Sequence, residues 1–365
     1  MQEQRVTSSF NVSSSEADYL NTYMNKVSRS FALVVPHLEP PLNHMLATAY
    51  LLCRVVDNIE DCLQPTTWKR ARFTEFEQLL DQPNLAPDIL SIWQQESWPG
   101  LTVEERQLMD LDEGQPLWQI YTAIPAEHQA IIHHWTLTMA VGMSQLEDQE
   151  KRPHFIRRNG VKMSATEADY NTYCYYVAGT VGHMTTELVI RHYGLNSDIA
   201  RRLRRSCEAC GRGLQKTNIV KDFAEDLGRG VSFLPNTWLQ EADYTPLTLR
   251  GASSEWIQKV LGDVTAELRM STEHVLALPY EAAGYRMAGL LCLLPAYETL
   301  VLAAHQRNQL FTPTHHVKIS RQTLAHCMLW AQTMVNDNTA VKQYSRQRER
   351  TIEQLLTASE CVVER

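Results

Sequence analysis

The sequence predicts an all-α protein, one helical domain built around a central cavity. Apolar residues recur at helical spacing along most of the chain, and no stretch alternates convincingly enough to make a strand. No internal repeat or flexible linker divides the 365 residues, so a single domain spanning 1–365 is expected.

The elements follow in chain order. Residues 1–15 are polar and acidic, which reads as a flexible lead-in and not as a signal peptide. A helix is expected near 16–28. The clearest helix runs over 42–63, bracketed by Pro41 and Pro65. A third follows at 68–81. The stretch 81–115 is rich in Pro, Trp and acidic residues and reads as a partly ordered surface excursion. Further helices are expected at 126–147, 166–193 and 198–227, the last stopping at Gly228 and Gly230. The final four fall at 254–277, 281–305, 321–335 and 339–358. Met287 to Ala304 is the most lipid-like stretch but contains Pro295 and Glu298. A membrane span wants about 20 nearly uncharged residues, so a buried core helix is expected there.

Bulk composition narrows the function. Apolar residues make up 44% and charged residues 21%, as in an ordinary soluble protein. With 34 basic against 42 acidic residues the formal net charge is −8, which argues against nucleic acid as a partner. An anionic small substrate stays open, because local charges and metal ions decide that contact. The eight cysteines (Cys53, Cys62, Cys174, Cys207, Cys210, Cys292, Cys327 and Cys361) are thinly spread and suggest no disulfide framework. Cys207 and Cys210 form a lone C-x-x-C without a second ligand pair at zinc spacing. A reducing cytoplasm is the simpler setting.

The chemical signal lies on two helix faces. Tyr50, Arg54, Asp57 and Asp61 share one face of the 42–63 helix at spacings of 4, 3 and 4. Leu51, Leu52, Val55, Val56 and Ile59 surround them, which makes a plain solvated stripe a poor explanation. Aspartates in apolar surroundings are costly unless a positive charge meets them. Gln215, Asn218, Asp222 and Asp226 repeat the pattern at 3, 4 and 4, with Glu225, Lys216 and Lys221 nearby. Two D-x-x-x-D pairs suit Mg²⁺, which takes one or two carboxylates plus waters and substrate phosphates. The Glu and Glu-x-x-His pairs of a di-iron site are missing.

With these motifs in place, the chain resembles the squalene and phytoene synthase family, squalene synthases most closely. The resemblance rests on SRSFALVVPHL (28–38), AYLLCRVVDNIED (49–61), YCYYVAGTVG (173–182), LQKTNIVKDFAED (214–226) and HHVKISRQ (315–322), in that order. It implies an isoprenoid synthase-type helical bundle and a monomeric, Mg²⁺-dependent transferase acting on farnesyl diphosphate. Two such molecules would couple head to head through presqualene diphosphate, and NADPH would reduce the product to squalene. By that resemblance Asp57 and Asp61 hold Mg²⁺ at the first diphosphate, and Asp222 and Asp226 at the second. Arg29 and Arg54 contact diphosphate oxygens, work that suits a planar, permanently charged fork. Tyr173 accepts or relays the proton, supported by Tyr50. Phe31, Val177 and Val181 line the prenyl channels. Gln215, Asn218, Lys318 and Arg321 match positions near NADPH. No Gly-rich dinucleotide fingerprint accompanies them. The substrate and product leave peripheral association with a membrane open.

Several positions depart from the family pattern. Val231 stands where an arginine is usual, with Arg229 two residues earlier, and Lys221 replaces an arginine before Asp222. Leu291 and Ala296 replace an aromatic residue and a glutamine. These changes leave the last step open: the reaction could end at presqualene diphosphate, hydroxysqualene or dehydrosqualene without NADPH. A reading of another class is a non-catalytic assembly or binding relative. Such a relative loses metal-binding carboxylates, and all four aspartates stand here. Gly179 and Gly182 read equally as room for a channel and as a close helix contact.

Overall fold

Capping and apolar periodicity set the helices in a computed structural model that describes residues 10–28, 31–147 and 153–357. The chain forms two compact units: Met1–Gln145 with His183–Leu195, and Leu146–Gly182 with Asn196–Arg365. The expected all-α class holds, since helices make up most of the described chain.

The first unit opens with α1 (Ser14–Val27), started by a capping box between Ser13 and Glu16. Within the predicted lead-in, residues 1–9 lie outside the described ones, while Phe10 is buried. After α2 (Phe31–Val34) comes α3 (Leu42–Asp61), the core helix of this unit. Its Leu51, Leu52, Val55, Val56 and Ile59 are fully buried, and it packs on α1 and on α4 (Thr66–Asp81).

The stretch 81–115 is not a surface excursion. It holds α5 (Ala86–Trp93), α6 (Val103–Gln107) and the start of α7 (Leu111–Ala123). Trp93, Leu90, Leu108 and Met109 are fully buried, and Trp98 packs edge-on against both Trp68 and Trp93. The composition misleads for a physical reason. Its proline and acidic residues mark helix starts, with Pro87 in the first turn of α5 and a Thr102–Glu105 capping box on α6. Helix α8 (Ala126–Leu146) follows.

The second unit contains strands that helical periodicity does not announce. Strands β1 (Phe155–Arg158) and β2 (Val161–Ser164) form an antiparallel hairpin. Asn159 and Gly160 make its turn at φ 52° and 83°, the left-handed pair that a two-residue hairpin needs. The segment expected as one helix over 166–193 becomes α9 (Glu167–Cys174), a π-helical turn (Tyr175–Gly179) and α10 (Thr180–Tyr193). The 198–227 segment is likewise divided into α11 (Ser197–Arg204), α12 (Cys207–Lys221) and α13 (Phe223–Gly228).

Close backbone contact explains two glycines here. A Cβ at Gly182 would run into the carbonyl of Cys207, and one at Gly211 into that of Ala178. The π-turn and the start of α10 therefore lie directly on α12. The short strand β3 (Val231–Ser232) then joins β2 in parallel, pairing Val231 with Lys162.

Beyond α14 (Asn236–Glu241), the unit is completed by α15 (Ser254–Ala277), α16 (Ala283–His305), α17 (Arg321–Met334) and α18 (Asn338–Thr357). Arg286 of α16 is fully buried, and among the described residues no carboxylate pairs with it. It donates instead to the carbonyls of Val275, Leu278 and Val335 and to Asn338 Oδ1, at 2.6–2.8 Å. One guanidinium thereby ties the ends of α15 and α17 to the start of α18. Helix α16 is long and apolar enough to cross a membrane by length and composition. It packs against α12, α15, α17 and α18, and 56% of its most apolar window is buried. The seven described cysteines are free thiols, and Cys361 lies outside the described residues.

Candidate active site

On α3 the four residues of the first face are partly or fully exposed while their neighbours fill the core. Arg54 Nη2 donates to the Tyr50 hydroxyl at 3.2 Å, and that hydroxyl donates to the Val27 carbonyl at 3.3 Å. The Tyr50 ring packs on Phe31, centroids 5.1 Å apart. Arg54 Nη1 stands 3.6 Å from Asp57 and 4.0 Å from Glu105. Phe31, Tyr50, Arg54 and Asp57 thus form one contiguous strip. Arg29 falls outside the described residues.

Electrostatics marks Asp57 as a carboxylate short of positive charge. Burial pushes its pKa up to about 7; Arg54 opposes the shift, while Asp61 and Glu105 add to it. Glu105 is the functional neighbour that the sequence reading missed. It sits on α6, inside the stretch read as an excursion, and its backbone carbonyl accepts a 2.9 Å bond from Asn58.

The second face is built at a helix break. Asp222 closes α12 and opens α13, with its backbone at φ −98° and ψ 12°. Lys221 Nζ stands 3.2 Å from Asp222 and donates to Asn218 Oδ1 at 3.0 Å. Asp226 is 7% exposed and accepts a 2.5 Å bond from Arg229. Burial pushes its pKa up to about 6, against the pull of Arg229 and with help from Asp222 and Glu225. Gln215 is partly buried and Asn218 exposed on the same helix. Lys216 differs from its sequence reading as a nearby positive charge: it is 1% exposed and bound to Asp263 and Glu267, out of reach of a substrate.

Tyr173 on α9 is 5% exposed. Its ring stacks on Phe233 at 4.5 Å and meets the edge of Phe155 at 5.8 Å. Val177 lies in the π-turn and Val181 at the start of α10, both partly exposed. π-Turns are rare and frequent at functional sites, and no sequence period predicts this one. Lys318 and Arg321 are exposed, Lys318 in the loop before α17 and Arg321 at its first residue, after the Ser320 cap.

Both carboxylate pairs fit a hard divalent cation. Each offers two aspartates one helical turn apart, one of them held well above the usual carboxylate range. Among the described residues no three His, Cys, Asp or Glu side chains converge into a closed cage. A Mg²⁺ ion shared with substrate phosphates needs none.

The squalene/phytoene synthase family model matches residues 24–323. The squalene synthase of Candida albicans is 34% identical over 215 residues, 58% of this chain and 44% of that protein. This chain therefore spans about half the length of such curated relatives. The Cyberlindnera jadinii squalene synthase is 27% identical over 346 residues, 92% of this chain and 72% of that one. Among solved structures, one described as TcSQS with the ligand BPH1237 shares the fold, with a TM-score of 0.75 at 21% identity over 94% of this chain and 96% of that chain. A dehydrosqualene synthase with a ligand gives a TM-score of 0.54 at 19% identity, covering 88% of this chain and 96% of that one. With an ordered motif set and a family match across 300 residues, the chain belongs to the squalene/phytoene synthase family.

Proposed function

We propose that the protein couples two farnesyl diphosphates head to head, through presqualene diphosphate, and reduces the product to squalene. The observation that carries this reading is the pair of carboxylates pushed upward by burial, the partly exposed Asp57 and the buried Asp226, each on a family motif and each beside an exposed or partly exposed aspartate. Asp57 with Asp61, and Asp222 with Asp226, would hold Mg²⁺. When bound with a diphosphate, that ion neutralises the charge developing on the leaving group. Arg54, Arg29, Lys221 and Arg229 then orient the phosphate oxygens. Because Arg229 pairs with Asp226 at 2.5 Å, it must turn outward to share that carboxylate with an incoming cation.

Loss of diphosphate from one substrate leaves an allylic cation, which the double bond of the other attacks. Tyr173, with Tyr50 in support, takes or relays the proton lost on cyclopropane closure. The Phe155 and Phe233 rings beside Tyr173 exclude water that would quench the cation. Phe31, Val177 and Val181 line the prenyl tails, and Gln215 contacts the substrate. Asn218, Lys318 and Arg321 would bind NADPH, which supplies the hydride of the last step. The exposure of both cations leaves them available to its phosphates. A cytoplasmic monomer in peripheral contact with a bilayer suits a substrate with a greasy tail and a hydrocarbon product.

Purified protein with farnesyl diphosphate and Mg²⁺, assayed with and without NADPH, tests the reading. Squalene formed only with NADPH supports it. Presqualene diphosphate, hydroxysqualene or dehydrosqualene in both tubes retains the coupling and refutes the reduction. Val231, in strand pairing with Lys162, and the buried Leu291 and Ala296 would then account for the altered ending. No product from any prenyl diphosphate would favour a binding relative.

A further inference from the structure

Helix α12 carries a second polar face that the reaction does not use. Glu208, Arg212 and Lys216 recur on it every four residues, and α12 lies against α15. Arg212 bridges Glu208 at 2.9 Å and Glu267 at 2.7 Å. Lys216 Nζ donates to Asp263 Oδ1 at 2.9 Å and to Glu267 Oε1 at 3.0 Å. A lysine this deeply buried persists because both its charge and its donors are met.

The ammonium also stands 5.2 Å from the ring centroid of Tyr170. Tyr170 is fully buried on α9, and among the described residues its hydroxyl has no hydrogen-bond partner. Ring contacts therefore hold it: Lys216 on one side and the edge of Trp238 at 5.8 Å on another. Tyr170 lies three residues before Tyr173, on the same flank of α9. Lys216 lies six residues before Asp222, about 9 Å along the helix axis. One ammonium consequently touches three helices: the one that bears Tyr173, the one that ends in Asp222, and α15.

We propose that Lys216 is a positioning residue. By joining Asp263 and Glu267 to the Tyr170 ring, it sets the rotation of α9 and so the place of Tyr173 relative to the Asp222–Asp226 end of α12. The role rests on the reaction proposed above, but its mechanical half does not.

Three variants test it: Lys216→Met, the charge-balanced pair Lys216→Met with Glu267→Gln, and Asp263→Asn. The last two keep the proposal testable where an uncompensated buried carboxylate would stop Lys216→Met from folding. The expected result is a kcat at least about tenfold lower, with KM for farnesyl diphosphate within about threefold. Amide exchange over Glu167–Cys174 should speed up about tenfold relative to helix Leu42–Asp61. Unchanged exchange over Glu167–Cys174 overturns the proposal. Faster exchange with unchanged kcat per folded molecule also overturns it, because Lys216 would then only stabilise. A wild-type protein without turnover refutes the reaction reading instead, and the exchange measurement alone then decides whether Lys216 holds α9.

Discussion

The two acidic faces carry the same residue pattern on different mechanical supports. Asp57 and Asp61 project from the last two turns of α3, an unbroken helix of 20 residues whose other side fills the first unit's core. Arg54, the cation beside Asp57, is partly buried and held by Tyr50 and Glu105. Asp222 and Asp226 straddle the junction of α12 and α13, with Lys221 3.2 Å from Asp222 and Arg229, 59% exposed on its side chain, bonded to Asp226. One face is preorganised; the other has a hinge in its backbone and more exposed counter-ions. A preorganised face loses little order on meeting a diphosphate, whereas a jointed one can follow a substrate that changes shape between two steps.

The largest effect should come from removing a carboxylate on either face. Asp57→Ala and Asp222→Ala should each lower product formation by about 10³-fold with the circular dichroism spectrum unchanged. Retained turnover in either variant would break the metal-site argument. The arginines should then separate the faces. Arg54→Ala is expected to cost about 100-fold, because it removes a fixed partner, and Arg229→Ala about tenfold or less. Equal losses in steady-state kinetics would erase the contrast between partly buried and exposed counter-ions.

Acid stability sharpens the comparison from outside the faces. Burial of His274 on α15 pushes its pKa down to about 4, and Ser206 lies 3.1 Å from its Nδ1. The unfolded chain binds that proton near pH 6.5, so the native state holds fewer protons in between. The His274 contribution to stability is full above pH 6.5 and falls as the pH drops toward 4. From pH 7 to 5 the loss is about 2 kcal/mol, at about 1.4 kcal/mol per unit below 6.5. Because Asp57 and Asp226, both pushed upward by burial, act in the opposite direction over this window, urea titrations should be read as a difference. The stability gap between wild type and His274→Gln should shift by about 2 kcal/mol between the two pH values, and a gap that does not shift refutes the His274 assignment. The smallest effect is on product choice. Lys318→Ala should raise the ratio of presqualene diphosphate to squalene severalfold, and a ratio that does not move would remove Lys318 from the second step.

How much of this the sequence reveals depends on the range of the signal. The α3 face is legible because its pattern is local: an apolar helix with two aspartates a turn apart. The expected bounds of α15 match the structure, and those of α16 differ by two residues at one end. Glu105 was hidden because its importance comes from a tertiary contact to Arg54, within a stretch whose composition resembles a loop. Lys216 was misread because its charge suggests solvent, while the carboxylates that bury it lie 47 and 51 residues away. The hairpin had a local cue in Asn159–Gly160, but its strands of four residues are too short for alternation to show.

The π-turn at Tyr175–Gly179 has a consequence for length variation in this segment. A π-turn is an α-helix with one residue too many, and the surplus is taken up in a single turn. A further change in residue count, which the turn does not absorb, would swing everything before it by about 100° relative to everything after it. Tyr173 would leave the Phe233 ring while Gly182 stayed against Cys207. Point substitutions there should be tolerated far better than any change in residue count, so this turn works as a ruler on which spacing matters more than spelling.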